Sequence, residues 1–327
     1  MNDYKWLMQL TDSIKNGGVC NKINAEKILA LEKDAMHVLL YAATELRQHF
    51  KQNYVKTCSI VNAKSGRCSE DCSFCAQSAH HNTDLNTYPL MEPDKILAVA
   101  ESEELYSRRF GIVTAGKGLG SEDIQSIKKT IDGFTGKDLK QIPCASFGIL
   151  SEEQFVELKE AGLKRYHHNL EVSRNYYSKI CTTHSYDDRI ETIKNAKKVG
   201  LEICVGGIFG LGETINDRID LMLEIIECEP DSVPLNFLVP IRGTSLEDSE
   251  MISLWEATKL VALARLMMPD KDIKLGAGRL EIFKDAQHLV FLAGANGMII
   301  GNLLTVKGRS VEEDVKVITD LGLEISA

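Results

Sequence analysis

From residue 56 to residue 301 the chain repeats one pattern: a short apolar run, then a charged stretch with apolar residues at helical spacing. Eight such runs stand out, "KTCSIVNA", "RFGIVTA", "QIPCASFG", "RYHHNLEV", "LEICVGGI", "SVPLNFLV", "DIKLGAG" and "GMIIG". Intervening segments such as "SEDIQSIKKTIDGF", "SEEQFVELKEAG", "YDDRIETIKNAKKVG" and "WEATKLVALARLMMP" have the period of amphipathic helices, and several stop at Gly or Pro. Alternating strands and helices build a parallel sheet covered by helices, and eight repeats are the number that closes a barrel. The expected fold is α/β, a (β/α)8 barrel of the TIM type over residues 51–327 that includes a C-terminal tail. Residues 1–50 contain "NAEKILALEKDAMHVLLYAATELRQHF" and are expected to form an N-terminal helical extension.

Successive side chains on a strand face opposite ways, and the outer face of such a barrel packs on apolar helices. That parity sends Cys58 and Asn62 of the first strand to the lumen, with Cys144 and Ser146 of the third. On the second strand Arg109 and Gly111 share a face. The fourth contributes Arg165, His167, Asn169 and Glu171, and turns Tyr166, His168, Leu170 and Val172 outward. The fifth contributes Glu202, Cys204 and Gly206, the sixth Asn236, and the seventh Lys274. A barrel interior is normally filled by branched apolar residues. One inward cysteine would pass as core packing. Three, with an Asn pair, a His, a Glu and a Lys, predict a reaction chamber.

The segment "RCSEDCSFCAQS", residues 67–78, spaces its thiols as Cys68-x3-Cys72-x2-Cys75. It follows the first strand, so it belongs to a loop at the carboxyl end of the barrel, where active sites of this fold lie. Three thiolates this close suit zinc or an iron–sulfur cluster. Zinc would need a fourth ligand, which His80 or His81 could give, but zinc sites usually pair two C-x2-C clips and here there is one. A four-iron cluster on three cysteines leaves one iron open to a small ligand. The chain has nine cysteines and an N-terminus without an apolar export segment, which favours metal ligation over disulfides. A net charge of −9 with no basic block speaks against a nucleic-acid partner. The uncharged run at 288–306 carries three glycines and two asparagines, and reads as a buried helix, a turn and a buried strand rather than a membrane span. A cytoplasmic location, away from any membrane, is expected.

"CSEDCSFC" resembles the signature of radical S-adenosylmethionine (radical SAM) enzymes. "NAKSGRCSEDCSFCAQS", "HHNLEVS", "CVGGIFGLGET", "DSVPLNFLVPIRGTSL", "ALARLMMP" and "FLAGANGMIIGNLLT", in this order along the chain, are similar to the biotin synthase family of that superfamily. The resemblance implies a barrel of the radical SAM kind in which Cys68, Cys72 and Cys75 hold a 4Fe–4S cluster whose open iron binds S-adenosylmethionine. It also implies that Asn169 and Glu171 hold the ribose, Glu171 standing where Asp is more usual, and that Arg189 pairs with the methionine carboxylate. Thr114, Ala115 and Gly116 would present backbone to the methionine amine. Phe74, Gly206 and Ile208 would complete the cofactor pocket, the last two near the adenine.

The substrate implied is dethiobiotin, lying between S-adenosylmethionine and an auxiliary iron–sulfur cluster, with Asn169, Asn236 and His167 as partners for its ureido group. Sulfur would enter at two unactivated carbons, with one S-adenosylmethionine cleaved per C–H bond. The family's better-known auxiliary cluster is 2Fe–2S, with cysteines from strands two, three and five and an Arg from strand seven. This sequence has Gly111 and Lys274 at two of those places. Cys58 faces the same lumen, so Cys58, Cys144 and Cys204 are expected to hold the auxiliary cluster, with Lys274 as a compact positive charge beside it. Three thiolates suit a four-iron cluster carrying an extra sulfide, which would be the sulfur transferred. The alternative is 2Fe–2S with Lys274 as the fourth ligand.

Flavodoxin or ferredoxin as electron donor, and a homodimer, are further implications of the resemblance. Related barrels of the hydrogenase-maturation or methylornithine-synthase type would share the Cys68, Cys72 and Cys75 triplet without the other blocks. A non-catalytic iron–sulfur electron carrier would satisfy its irons with four protein ligands. Cys181 reads as a small buried residue or an accessory thiol. Cys20, Cys228, His184, Met267 and Met268 read as packing or pocket wall.

Overall fold

The computed structural model of the chain describes residues 2–304 and 308–326. Thr305 and Val306, which end the apolar run read above as helix, turn and strand, lie outside the described residues. The strands are β1 (Tyr54–Lys64), β2 (Arg109–Thr114), β3 (Ile142–Ser146), β4 (Arg165–His167), β5 (Glu202–Cys204), β6 (Gly207–Phe209), β7 (Ser232–Phe237), β8 (Asp272–Leu275), β9 (Gly297–Ile299) and β10 (Glu324–Ile325). The principal helices are α1 (Asn2–Lys15), α2 (Lys22–Leu29), α3 (Met36–Lys51), α4 (Pro93–Glu103), α5 (Ser121–Gly136), α6 (Glu152–Glu160), α7 (Arg174–Tyr177), α8 (Tyr186–Lys198), α9 (Ile215–Glu227), α10 (Leu254–Met267), α11 (Arg279–Phe283), α12 (Leu289–Leu292) and α13 (Val311–Thr319).

All the strand pairs are parallel, β1 pairs with β9, and the sheet closes. The two pieces β5 and β6 make up one barrel strand, so the barrel has eight, and the (β/α)8 fold is the one observed. The strand β10 pairs with the first residues of β1. Helix α3 packs on α1 and α10, which places residues 2–51 against the outside of the barrel. The long apolar run becomes α12 and β9, both largely buried. Among the described residues no helix is long and apolar enough to cross a membrane.

The strand periodicity is visible in the burial. Along β1, Val55, Thr57, Ser59, Val61 and Ala63 are buried towards the helices, while Cys58, Ile60 and Asn62 are half-buried on the other face. Four helices start at Ser or Thr caps of one kind: Ser151, Ser185, Thr214 and Ser310 each form a reciprocal capping box with the residue three positions on.

Two strands depart from the expected continuous runs. The fourth stops at His167, then bends through Glu171, whose φ of 71° is left-handed, to bridge Gly207. The fifth breaks at Val205–Gly206 because the chain passes directly under β7. A Cβ on Gly206 would lie 1.9 Å from the Pro234 carbonyl oxygen. Only glycine fits there.

Candidate active site

The loop after β1 is rigidly tied. Cys68 N donates to Gln77 O at 2.9 Å and Ala79 N to Cys68 O at 2.8 Å, which closes the segment on itself. Gln77 Oε1 accepts from Gly66 N at 3.1 Å and from Asn62 Nδ2 at 3.3 Å, anchoring the loop to β1. Asp71 accepts from Thr182 N at 2.8 Å and from Thr183 Oγ1 at 3.1 Å, anchoring it to the segment before α8. Burial works against this carboxylate, but the donors on Thr182 and Thr183 hold it well below its ordinary range. Burial pushes the Cys75 thiol up to about 11, and burial raises Cys68 as well. Metal binding there releases protons.

The strand register brings a second group of thiols into one layer of the lumen. Cys58 is opposite Arg109, Gly111 opposite Cys144, Cys144 opposite Arg165, Arg165 opposite Glu202, His167 opposite Cys204, and Pro234 opposite Lys274. Lys274 Nζ donates to Cys58 Sγ at 2.9 Å. Its stem runs over Gly297, where a Cβ would lie 2.6 Å from Lys274 Cγ. Arg109 reaches Cys144 Sγ at 3.8 Å and Glu202 Oε2 at 2.8 Å, and Arg165 holds the same carboxylate at 2.6 Å. Burial pushes the Cys204 thiol up, but a hydrogen bond from His167 and the charges of His167, Lys274 and Arg165 bring it down to about 6. Burial raises the Cys144 thiol, against the pull of Arg109 and Arg165. Lys274 itself is held above its ordinary range, because Cys58 and Cys204 outweigh its burial.

A third set of residues lines the same space. Arg189 Nε donates to Tyr177 Oη at 2.6 Å, Arg189 Nη1 donates to Asn169 O at 2.9 Å, and the same nitrogen is 3.6 Å from Glu171 Oε1. Asn169 Nδ2 donates to Glu171 Oε2 at 3.2 Å. Ala115 N donates to Lys64 O at 2.9 Å, fixing the start of the turn through Gly116.

One cavity of about 450 Å³ connects all three sets. Its walls include Cys68, Cys72, Cys75 and Phe74 from the loop, Thr114, Ala115, Asn169, Glu171, Arg189 and Ile208, and Cys58, Cys144, Cys204, His167, Asn236 and Lys274. Gly206 is buried against Pro234 and is not among the lining residues, since the break in the fifth strand turns it away. The Asn236 amide is largely engaged, donating to Gly207 O at 3.3 Å and accepting from Ala277 N at 3.0 Å. His168, expected outward, is 6% exposed and also lines the cavity, because β4 ends one residue before it.

The donor set fits iron–sulfur clusters and a polar, charged ligand. Two groups of three thiols reach one cavity, and cations from β2, β4 and β8 face the inner group. Among the described residues, Arg165 Nη1 and Asn169 Oδ1 are buried without a hydrogen-bond partner, so each has capacity left for a ligand.

Sequence parity missed the Arg109–Glu202–Arg165 bridge across β2, β4 and β5, since pairing between strands is invisible to it. It also missed that Cys181 lies 3.7 Å from Cys72, sulfur to sulfur. The two are separated by 109 residues, and no local pattern joins them.

A closed parallel barrel with three thiols in the loop after its first strand defines a radical SAM enzyme. The profile of the Radical SAM superfamily matches residues 63–225, and that of the Biotin and Thiamin Synthesis associated domain matches residues 234–324. Biotin synthase from Carboxydothermus hydrogenoformans is 42% identical over 322 residues, covering 98% of this chain and 99% of that protein. Biotin synthase from Clostridium perfringens (strain 13 / Type A) is 45% identical over 305 residues, covering 93% and 95%. The chain belongs to the biotin synthase family. It is therefore a radical SAM sulfurtransferase that uses a 4Fe–4S cluster, S-adenosylmethionine and an auxiliary iron–sulfur cluster. Among solved structures, methylornithine synthase superposes with a TM-score of 0.85 at 21% identity, covering 97% of both chains. The FeFe-hydrogenase maturase HydG from Carboxydothermus hydrogenoformans gives 0.83 at 17%, covering 99% of this chain and 80% of its own. These two share the fold.

Proposed function

We propose that the chain converts dethiobiotin to biotin with Cys68, Cys72 and Cys75 serving the radical step and Cys58, Cys144 and Cys204 holding the auxiliary cluster that donates sulfur. The observation that carries this reading is the single cavity lined by both thiol triplets. When bound, S-adenosylmethionine and its cluster supply a 5′-deoxyadenosyl radical. Arg189, already oriented by Tyr177 and Asn169, takes the methionine carboxylate. Glu171 and Asn169 accept the ribose hydroxyls, Thr114 and Ala115 offer backbone to the amine, and Phe74 and Ile208 bound the nucleoside, with Gly206 behind the cavity wall. His167, Asn169 and the free edge of Asn236 hold the ureido group, placing the reacting carbons between the two thiol groups. Lys274 balances the charge at Cys58.

Three thiols with a buried cation favour a four-iron auxiliary cluster carrying an extra sulfide. The 2.9 Å approach of Lys274 Nζ to Cys58 Sγ supports a second arrangement, 2Fe–2S with Lys274 as a ligand. Reduction by flavodoxin or ferredoxin, a homodimer and a cytoplasmic location complete the proposal. Residues 1–50 form its helical extension and residues 51–327 its catalytic barrel and tail.

The test is Mössbauer spectroscopy of the Cys68→Ala/Cys72→Ala/Cys75→Ala protein reconstituted without oxygen. A four-iron signal supports the favoured arrangement, and a two-iron signal replaces it with the second. No cluster, in a protein that remains folded, removes Cys58, Cys144 and Cys204 from the proposal.

A further inference from the structure

Cys181 and His184 have no part in the roles above, yet they converge on Cys72. Cys181 Sγ is 3.7 Å from Cys72 Sγ, and His184 Nδ1 and Nε2 are 3.3 and 3.9 Å from Cys181 Sγ. One donor atom from each of the three residues falls within 4.8 Å of the others. Zinc-type bonds of about 2.3 Å to sulfur and about 2.0–2.1 Å to nitrogen, at tetrahedral angles, put two sulfurs about 3.8 Å apart and sulfur and nitrogen about 3.6 Å apart. The sulfur–sulfur separation matches that geometry, and a turn of the imidazole that brings Nε2, 3.9 Å from Cys181 Sγ, round towards the two sulfurs completes it.

The surroundings are those of a built site. Glu70 Oε2 is 2.6 Å from His184 Nδ1, and the two side chains are only 7% and 5% exposed. A carboxylate on Nδ1 leaves Nε2 free, the arrangement that orients a metal-binding imidazole. Ser73 N donates to Ile180 O at 2.8 Å, and Asp71 receives Thr182 and Thr183, so the two segments that carry the donors are fastened together. Glu70, Cys72 and His184 line the main cavity, which gives an ion a way in.

We propose that Cys72, Cys181 and His184, with Glu70 orienting the imidazole, form a mononuclear site for a thiolate-preferring divalent ion, ferrous or zinc, in the cluster-free enzyme. Binding takes both sulfurs as thiolates, releases to solvent any thiol proton they carry, and involves no electron transfer. Because Cys72 is shared, the site and the loop cluster exclude one another. The ion keeps the loop fastened before the cluster is built and gives up Cys72 when the cluster forms.

The test uses full-length, reduced, cluster-free protein carrying Cys68→Ala and Cys75→Ala, titrated with cobalt(II) under anaerobic conditions. Adding Cys181→Ser or His184→Ala is expected to lower bound cobalt by one equivalent per chain. The same change should remove one tetrahedral thiolate–cobalt spectrum. Cobalt on Cys58, Cys144 and Cys204 is common to all the proteins and cancels in the difference. Unchanged stoichiometry and spectrum in both variants would overturn the site and leave a sulfur–sulfur hydrogen bond only. Should Cys181→Ser not fold, as judged by circular dichroism, His184→Ala decides alone. As a second readout, one equivalent of zinc added to otherwise native apoprotein should slow assembly of the loop cluster several-fold, and should not do so in Cys181→Ser. Equal slowing in both would also overturn the proposal.

Discussion

Replacing Lys274 by Met keeps the buried stem and deletes the ammonium. That ammonium stands 2.9 Å from Cys58 Sγ, deep in the lumen. Two unit charges at that distance attract by roughly 6 kcal/mol in a medium of effective dielectric about 20. Most of this offsets the desolvation of a buried cation, and a hydrogen bond to a charged partner is worth roughly 1.5–3 kcal/mol net. At about 1.4 kcal/mol per factor of ten, Lys274→Met should weaken retention of the auxiliary cluster about 10- to 150-fold. The assay is equilibrium competition with an iron chelator, followed by visible absorbance in protein whose loop cysteines are all Ala. Half-loss should move to a proportionally lower chelator concentration. Retention equal to that of Lys274 would refute the counter-charge argument. Complete failure to assemble the cluster, in folded protein, would instead make Lys274 a ligand.

Three other outcomes are expected. Arg189→Lys keeps the charge but loses the fork that reaches Tyr177 Oη and Asn169 O, so S-adenosylmethionine affinity measured by equilibrium dialysis should fall about 10- to 100-fold; an unchanged affinity would place the carboxylate elsewhere. Gly206→Ala drives a Cβ into the Pro234 carbonyl and should cost on the order of 2–3 kcal/mol or more in urea unfolding, with neutral behaviour showing that the fifth strand can shift. Burial disfavours the Asp272 carboxylate, but Lys51 at 3.1 Å, Lys56 at 2.8 Å and Asn296 hold it below its ordinary range. Its contribution is therefore complete above the unfolded value, about 4, and is lost as pH falls further. The stability gap between the protein and Asp272→Asn should narrow from pH 6 to pH 3, and a gap independent of pH would contradict the ion-pair account.

Strand parity was enough to direct Cys58, Cys144, Cys204 and Lys274 towards one lumen, because a period of two survives wherever a strand is regular. It failed where strands are interrupted. Gly206 was expected inside and His168 outside, and both expectations assumed continuous fourth and fifth strands. The breaks come from contacts between strands, such as Gly206 against Pro234, which no single run of residues reports. The loop cysteines were legible from spacing alone, since their partners lie within eight residues. The grouping of Cys72 with Cys181 and His184 depends on the closure of the barrel and on Asp71, so it appears only in three dimensions.

The charges of the inner chamber show why so polar a lumen can be tolerated in a barrel. Arg109, Arg165 and Lys274 bring three positive charges, and Glu202 returns one negative charge. Against its burial, His167, Lys274 and Arg165 bring the Cys204 thiol down to about 6, which favours a thiolate there, and the sum stays positive. Taking Cys58 and Cys144 as thiolates as well would lower the balance by two charges. Burial alone opposes each of these cations, and in a chamber of neutral thiols nothing but Glu202 would answer them. The cations are thus placed for an occupant that keeps all three sulfurs as thiolates, and the unpartnered Nη1 of Arg165 marks where such an occupant would still find a donor. A lumen of branched apolar residues would fold with less difficulty. This one carries its charge because the same residues that are costly to bury empty are those that hold an anionic, sulfur-rich group in place.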